Sequence, residues 1–257
     1  MDDITLDKLN SDWVVKKFAE LDEYTVHVTQ VIDMCQKELV LSNVEHILHL
    51  PTTPHIYSLV GTAVHKFIRD YVNGEASMNN IEKYTNMIKY DTGKFKHCVR
   101  NFAEWYEKNE SNFGRVYTEL TNAKIVYDKG FKVTLTGTAD FIYEDDTGSY
   151  SIVDFKTSKT TNRINIYEEQ VGGYKYIFTD RFSIIHGAIL ILGSHNYRYV
   201  DININRGEER FVNDLLHVIQ TISEIRETKH VYSTLGFRCA MCRFRGICLG
   251  NDITEVM

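Results

Sequence analysis

Two aspartates and a lysine on neighbouring predicted strands constrain this chain more than any other feature. Asp140 lies in a run whose residues alternate as in a strand, and Asp154, Phe155 and Lys156 lie in a second such run. Side chains two apart on a strand share a face, so Asp154 and Lys156 point the same way, roughly 6–7 Å apart. A turn at 145–148 folds the two runs into a hairpin and brings Asp140 alongside.

Two carboxylates beside one lysine are typical of a site for a hard divalent cation with a fixed positive charge next to it. Such a site suits the attack of water on a phosphodiester. The alternative is an exposed ion pair between Asp154 and Lys156, worth less than about 1 kcal/mol. Val153 and Phe155 take the opposite face of an apolar strand, however, and a buried Asp and Lys are costly unless they are paired or hold a metal. Both interpretations stay open on the hairpin alone.

The composition is that of a globular protein with a sizeable core, because 25% of the 257 residues are charged and 43% are hydrophobic. No apolar run approaches the roughly 20 residues that span a bilayer. The acidic start at 1–4 lacks a secretory pattern, so we expect a cytoplasmic protein without membrane partners.

The formal charge of −6 argues against a protein that coats nucleic acid by bulk attraction. A small basic groove would still be compatible with a nuclease, although each candidate residue can equally be a solvated surface charge. The candidates are Lys156, Lys159, Arg163, Lys175, Arg238, Arg243 and Arg245.

Hydrophobic periodicity predicts helices first, then strands, and then a helix, a hairpin and a last helix. The helices are predicted at about 6–21, 29–41, 59–73, 78–90, 93–110, 163–179 and 208–228. The strands are predicted near 115–120, 123–127, 131–143, 150–157, 185–193 and 196–204. This order favours a mixed α/β fold with a central mixed sheet flanked by helices. We expect one domain with a mainly helical part at about 1–112, a sheet core at about 113–205 and a C-terminal part at about 206–257.

Three cysteines near the C-terminus, Cys239, Cys242 and Cys248, have x2 and x5 spacings that allow convergence on one centre. A tetrahedral set needs a fourth thiolate. Cys35, on a predicted helix, is a better candidate than Cys98, which we expect to be simply buried. Clustered thiols in a cytoplasmic protein favour a metal or a cluster over disulfides, with isolated core residues as the alternative. The spacing does not separate zinc from an iron–sulfur cluster. A centre that joined all four would close a loop of about 200 residues, for which chain entropy gives about 5 kcal/mol.

Together these motifs resemble the RecB-like nucleases of the PD-(D/E)XK superfamily, over nearly the whole chain. More narrowly, the chain is similar to the branch with a four-cysteine 4Fe–4S centre, which includes the AddB nuclease domain and the CRISPR-associated exonucleases. The matching segments, in chain order, are 61–65 (Gly-x-x-x-His), 137–140 (Gly-x-x-Asp), 154–156 ((Asp/Glu)-x-Lys) and 170–174 (Gln-x-x-x-Tyr). One N-terminal and three C-terminal cysteines are similar to the cluster ligands of that branch.

The resemblance implies a restriction-endonuclease-like core, with the helical N-terminal part stapled to the C-terminus by the cluster. It implies a Mg²⁺- or Mn²⁺-dependent DNA exonuclease that acts on single strands or ends in recombination, repair, or phage and CRISPR DNA processing. DNA is then the partner, with any helicase or recombination protein on a separate chain. The alternatives are a DNA-end-binding or assembly module without cleavage, a nuclease acting on RNA, and a site- or structure-specific endonuclease.

The resemblance also implies roles for individual residues. The metal ligands would be His65, Asp140, Asp154 and the backbone carbonyl of Phe155, with Glu119 as a further carboxylate or a plain surface residue. His65 falls at the edge of a predicted apolar helix stripe, where a histidine can also be a packing residue. The other catalytic residues would be Lys156, which orients water or stabilises phosphoryl charge, and Gln170 and Tyr174, which position the strand. The 4Fe–4S ligands would be Cys35, Cys239, Cys242 and Cys248, with zinc as the alternative metal.

Overall fold

The structure is a computed structural model that describes residues 12–48, 56–86, 88, 91–128, 130–159, 162–193, 195–232, 239 and 242–249. The chain divides into two compact units. Unit 1 is drawn from Met1–His55, Lys124–Leu135 and Asn213–Met257, and unit 2 from Ile56–Ala123 and Thr136–Val212. The arrangement of the chain as one domain in three successive parts stays a prediction.

The helices are α1 (Asp12–Ala19), α2 (Val28–Ile32), α3 (Gln36–Leu48), α4 (Ile56–Val72), α5 (Glu82–Thr85), α6 (Thr92–Asn109), α7 (Ile164–Phe178), α8 (Ile204–Thr228) and α9 (Arg245–Leu249). The strands are β1 (Glu23–His27), β2 (Val116–Asp128), β3 (Phe131–Glu144), β4 (Tyr150–Lys156), β5 (Ile184–Ile191) and β6 (Arg198–Ile202). Short 3₁₀ turns occur at Met78–Asn80 and Glu110–Asn112. In the part of the chain that the structure describes, no helix is both long and apolar enough to cross a bilayer.

The sheet of unit 2 is mixed. Strand β3 pairs antiparallel with β4, β4 pairs parallel with β5, and β5 pairs antiparallel with β6. Strand β2 also pairs with β3. The predicted β3–β4 hairpin is present, and its turn is closed by the carboxylate of Asp145, which accepts hydrogen bonds from the backbone N–H groups of Thr147 and Ser149.

Helices cover both faces of this sheet. Helices α4 and α6 share a buried core with Phe141, Val153 and Phe155 of the hairpin. Helix α7 packs against β4 and β5 from the other side, with Val171 and Ile177 buried. Because strand side chains alternate, Asp154 and Lys156 point to the face that α7 covers. The mixed α/β fold with a central mixed sheet flanked by helices, predicted from the sequence, is therefore confirmed.

Glycines allow α7 to approach the start of α8 backbone to backbone. A Cβ atom on Gly172 would lie 2.1 Å from the carbonyl carbon of Gly207, and one on Gly207 would lie 2.1 Å from the backbone oxygen of Glu168. The carboxylate of Glu168 adds an ion pair to Arg210 at 3.5 Å. Any larger side chain at these glycines would push the helices apart. The close contact fixes the position of α7 on the sheet, and with it the side chains that α7 presents to β4.

Unit 1 is held by polar contacts around β1. The backbone N–H of Lys132 in β3 donates to the carbonyl of Asp22 at 2.9 Å, just before β1 begins. The side-chain oxygen of Asn43 in α3 accepts a hydrogen bond from the backbone N–H of Thr25 at 2.7 Å. Arg226 in α8 donates to the carbonyl of Leu21 and lies over the ring of Phe131. These contacts join α3, α8 and the start of β3 to β1 and the two residues before it.

The helix predicted at 29–41 is wrong in its bounds, and the strand before it was missed. Helix α2 ends at Ile32 and α3 begins at Gln36, so Cys35 lies between two helices rather than within one. Residues 28–32 are mostly β-branched, which lowers helix propensity and explains the early end of α2. Strand β1 alternates between exposed and buried residues, but only two of its five side chains, Tyr24 and Val26, are buried. So short an alternation gives little sequence signal.

Candidate active site

Three potential metal ligands from separate elements of unit 2 come together at one point. They are His65 on α4, Glu119 on β2 and Asp140 on β3, and one ligand atom from each lies within 4.8 Å of the others. The Nδ1 atom of His65 is 3.0 Å from Oε1 of Glu119 and 3.2 Å from Oδ1 of Asp140. Imidazole nitrogen and carboxylate oxygen together suit a divalent ion such as Mn²⁺ or Mg²⁺.

Glu119 reaches this point through an irregular backbone. Its φ angle is 50°, in the left-handed region, although it lies within β2. A non-glycine residue in this region costs about 1–3 kcal/mol and needs support from its surroundings. The contact with His65 at 3.0 Å is such a support. Glu119 therefore lies in the cluster and is not a plain surface residue of a regular strand.

Asp140 is fixed by the backbone of the neighbouring strand. Its Oδ2 atom accepts a hydrogen bond of 2.6 Å from the backbone N–H of Phe155. The β3–β4 register pairs Phe141 with Val153, and one further step places Asp140 opposite Asp154 on the same face. Burial alone would raise the pKa of Asp140, but the charges of His65 and Lys156 hold it below its usual value. Asp140 therefore carries a negative charge at neutral pH.

His65 is a cation in this arrangement. Burial would lower its pKa, but the carboxylates of Asp140 and Glu119 outweigh burial and raise the pKa of His65 to about 10. Its ring also packs edge-on against Phe155, with 6.2 Å between centroids, which ties α4 to β4. The two carboxylates thus face a positive charge at the position where a divalent ion would supply one. This donor set fits such an ion once His65 releases its proton.

A second chain of contacts runs from the sheet into α7. The ammonium of Lys156 lies 2.6 Å from Oδ2 of Asp154 and donates a 2.8 Å hydrogen bond to Oε1 of Gln170. The amide nitrogen of Gln170 donates in turn to the hydroxyl of Tyr174 at 2.6 Å. Only 1% of the Asp154 side chain and 18% of the Lys156 side chain are exposed, so this is not a solvent-exposed ion pair.

Burial and neighbouring charges shift the pKa values of both Asp154 and Lys156. Burial and the nearby Asp140 raise the pKa of Asp154 to about 6, against the opposing effect of Lys156. Burial would lower the pKa of Lys156, but Asp154 and Asp140 raise it. Oδ2 of Asp154 is buried, and its contact with the ammonium is an ion pair without hydrogen-bond geometry. The oxygen therefore keeps lone-pair capacity that a metal ion or water can use. The expected role of the Phe155 carbonyl as a ligand stays a prediction.

Tyr167 also contacts this site and was missed by the sequence analysis. The ammonium of Lys156 lies 4.8 Å from the centroid of the Tyr167 ring, a cation–π distance. Tyr167, Gln170 and Tyr174 are three and four residues apart, so they lie on one face of α7. That spacing is the signal that could have identified Tyr167.

Other residues singled out from the sequence have defined surroundings. Lys175, a candidate for the basic groove, forms an ion pair with Glu208 at 2.8 Å, and Arg243 forms one with Glu45 at 2.8 Å. Arg238 lies outside the described residues. Cys98 is fully buried in the core of unit 2, as expected, and burial raises its pKa to about 11.

The four other cysteines all belong to unit 1. Cys35 lies just before α3, Cys239 and Cys242 precede α9, and Cys248 lies within α9. Burial raises the pKa of Cys242, and it raises that of Cys248 to about 11. The four cysteines that the spacing singled out therefore lie in the same unit, and their convergence on one centre stays a prediction.

Comparison with known proteins gives a family match and similar solved structures. The model of a family described as the PD-(D/E)XK nuclease superfamily matches residues 42–249. Among solved structures, the protein SSO0001 is similar, with 15% identity, a TM-score of 0.46 and coverage of 93% of this chain and 95% of that one. A Eubacterium rectale protein named as a candidate exonuclease is similar with 13% identity, a TM-score of 0.45 and coverage of 94% and 99%. No protein with a curated description matches.

Proposed function

The chain belongs to the PD-(D/E)XK nuclease superfamily, and from that premise we propose that it is a Mg²⁺- or Mn²⁺-dependent deoxyribonuclease. One observation carries the proposal. The ligand atoms of His65, Glu119 and Asp140 lie within 4.8 Å of one another, beside the buried pair of Asp154 and Lys156. The arrangement offers a place for a divalent ion and, next to it, a fixed ammonium that can face a phosphoryl group.

The residues divide into two functional groups. His65, Glu119 and Asp140 would hold the ion, with Asp154 at the boundary between the ion and Lys156. When bound, a divalent ion lowers the pKa of a coordinated water and neutralises charge on the phosphoryl oxygens. Lys156 donates hydrogen bonds to the charge that develops on those oxygens, or holds the attacking water.

Gln170 and Tyr174 support Lys156 rather than the ion. Gln170 accepts one hydrogen bond from the ammonium, and Tyr174 accepts one from the amide of Gln170. Burial and the charge of Asp154 raise the pKa of Tyr174 well above its usual value, so its hydroxyl stays neutral. These contacts hold the ammonium against the face of α7 that covers the sheet, and 18% of the Lys156 side chain stays exposed to a substrate.

We expect metal binding to release a proton. In the metal-free protein His65 keeps its proton up to a pH of about 10, and a metal ligand must be the neutral imidazole. The affinity for Mn²⁺ should therefore fall as the pH falls, by about tenfold per pH unit between pH 6 and 9. Calorimetric titration with Mn²⁺ in two buffers of different ionisation enthalpy should give about one proton released per ion. An affinity independent of pH over this range would contradict the assignment of His65 as a ligand.

We further propose that the enzyme is an exonuclease of the RecB-like branch that acts on DNA ends. The support is the ordered set of segments 61–65, 137–140, 154–156 and 170–174, together with the cysteine spacing. Recombination, repair, and phage or CRISPR DNA processing are the pathways that use such chemistry on ends. A helicase or recombination protein on a separate chain is the partner that this function calls for.

Labelled linear and covalently closed circular DNA test the reaction type directly. With Mg²⁺ or Mn²⁺ we expect nucleotides to be released from linear single or double strands, while circles stay intact and excess EDTA stops the reaction. Blocking one end and then the other gives the polarity. Cleavage of circles would indicate an endonuclease, and cleavage of RNA alone would indicate a ribonuclease. Binding of ends without cleavage in either metal would favour the end-binding alternative.

For unit 1 we propose a 4Fe–4S cluster on Cys35, Cys239, Cys242 and Cys248. Thiolates are ligands for both zinc and iron–sulfur clusters. The support is the x2 and x5 spacing of Cys239, Cys242 and Cys248, and the placement of these three cysteines and Cys35 in unit 1.

A further inference from the structure

Three groups surround the ammonium of Lys156. Asp154 contacts it at 2.6 Å, Gln170 accepts a hydrogen bond from it at 2.8 Å, and the ring of Tyr167 lies 4.8 Å away. The first two attract the ammonium through oxygen atoms. The third offers the negative face of an aromatic ring, which attracts a cation without accepting a conventional hydrogen bond.

The ring compensates for the flexibility of the lysine. A lysine side chain has four rotatable bonds, so one carboxylate contact leaves the direction of its other N–H bonds open. The Lys156 side chain is 18% exposed, which gives the ammonium a route toward water. Tyr167 restricts that freedom, because its ring stands on the same face of α7 as Gln170, one turn earlier. Within the residues that the structure describes, no hydrogen bond joins the Tyr167 hydroxyl to the site, so the ring alone makes the contact.

We propose that Tyr167 is a positioning residue for Lys156. Its ring face, together with Asp154 and Gln170, holds the ammonium in the orientation that the phosphoryl group requires. The inference rests on the proposed nuclease function for its catalytic consequence. The effect of Tyr167 on the ammonium itself does not depend on that function.

Two substitutions at Tyr167 separate the ring from the hydroxyl. Tyr167→Phe keeps the aromatic face and should retain a kcat close to that of the unchanged protein. Tyr167→Leu removes the face and should lower kcat for DNA cleavage about five- to thirty-fold, with KM little changed. The matched control is Tyr176→Leu, the same change on the same helix, where the tyrosine packs against Phe211 at 6.1 Å. It should leave kcat unchanged below its melting temperature.

A second readout needs no activity. Trace labelling of lysines with acetic anhydride, followed by mass spectrometry, reports how freely each ammonium reaches solvent. Lys156 should be labelled faster in Tyr167→Leu than in Tyr167→Phe or the unchanged protein, while Lys83 is labelled equally in all of them. If the unchanged protein cleaves no DNA, the labelling still decides the role of Tyr167, and only the proposed function fails.

Three results would overturn the inference. The first is equal labelling of Lys156 in the phenylalanine and leucine variants. The second is a phenylalanine variant that loses as much kcat as the leucine variant, because the aromatic face is present in one and absent from the other. The third is a loss in the leucine variant that falls on KM alone, which would indicate a contact with the bound strand.

Discussion

Replacing Lys156 by methionine is expected to lower kcat for DNA cleavage by about 10²–10³-fold, a barrier increase of about 3–4 kcal/mol. Methionine has a similar length and can occupy the space beside Gln170, but it has no charge and no donor. The change leaves His65, Glu119 and Asp140 intact, so Mn²⁺ should still bind. Steady-state or single-turnover cleavage of end-labelled DNA gives the rate, and calorimetry gives the metal affinity.

Lys83→Met is the matched control for this experiment. Lys83 is an exposed lysine that lies over the ring of Tyr84 at 5.6 Å, outside the candidate site, so the same substitution there should leave kcat unchanged. A Lys156→Met protein that folds, binds Mn²⁺ and cleaves at the original rate would rule out an electrostatic role for this ammonium. Loss of metal affinity together with activity would show instead that Lys156 acts by keeping the carboxylates in place.

Replacing Cys35 by serine is expected to remove the proposed cluster and to destabilise unit 1 by up to about 5 kcal/mol. The reason is the loop that the centre closes, since Cys35 and Cys239 lie at opposite ends of the chain. Protein purified without oxygen should be brown and contain about four irons per chain, and the variant should be colourless. Denaturant unfolding, followed with the cluster intact and in the variant, measures the stability difference.

Cys98→Ala provides the comparison, because Cys98 belongs to the core of unit 2 and takes no part in the cysteine group. The iron content of the Cys98→Ala protein should equal that of the unchanged protein. Stoichiometric zinc in place of iron, under conditions that preserve clusters, would refute the proposed 4Fe–4S cluster. It would still support a metal centre on these cysteines. Full iron content in the Cys35→Ser protein would exclude Cys35 as a ligand. The centre would then not link Cys35 to the three C-terminal cysteines.

The sheet and its hairpin were predictable from the sequence because alternation reports which side chains share a face. The turn at 145–148 and the pairing that brings Asp140 toward Asp154 follow from it directly. The spacing of Gln170 and Tyr174 likewise predicts a common helix face, which the structure contains. These features depend on local periodicity, so one sequence carries enough information for them.

Three features of the structure were not predictable in this way. The left-handed backbone of Glu119 interrupts a strand whose pattern looks regular, and periodicity cannot report such an interruption. Cys35 lies between α2 and α3 because several β-branched residues end the first helix early. Their low helix propensity is a weaker sequence signal than the apolar periodicity of the surrounding residues, which predicts one continuous helix. The contact of Tyr167 with Lys156 joins a helix to a strand, and its distance depends on how closely α7 lies on the sheet.

The backbone of Glu119 also shows a trade-off between the stability of the fold and the placement of a functional side chain. Glycine or asparagine would occupy a left-handed position at lower cost, so a chain optimised only to stay folded would be expected to choose one of them. Glutamate instead supplies a long side chain with a carboxylate, and the strand carries a strained backbone at this position. The placement of the Glu119 carboxylate therefore outweighs the conformational free energy that its backbone costs the folded state.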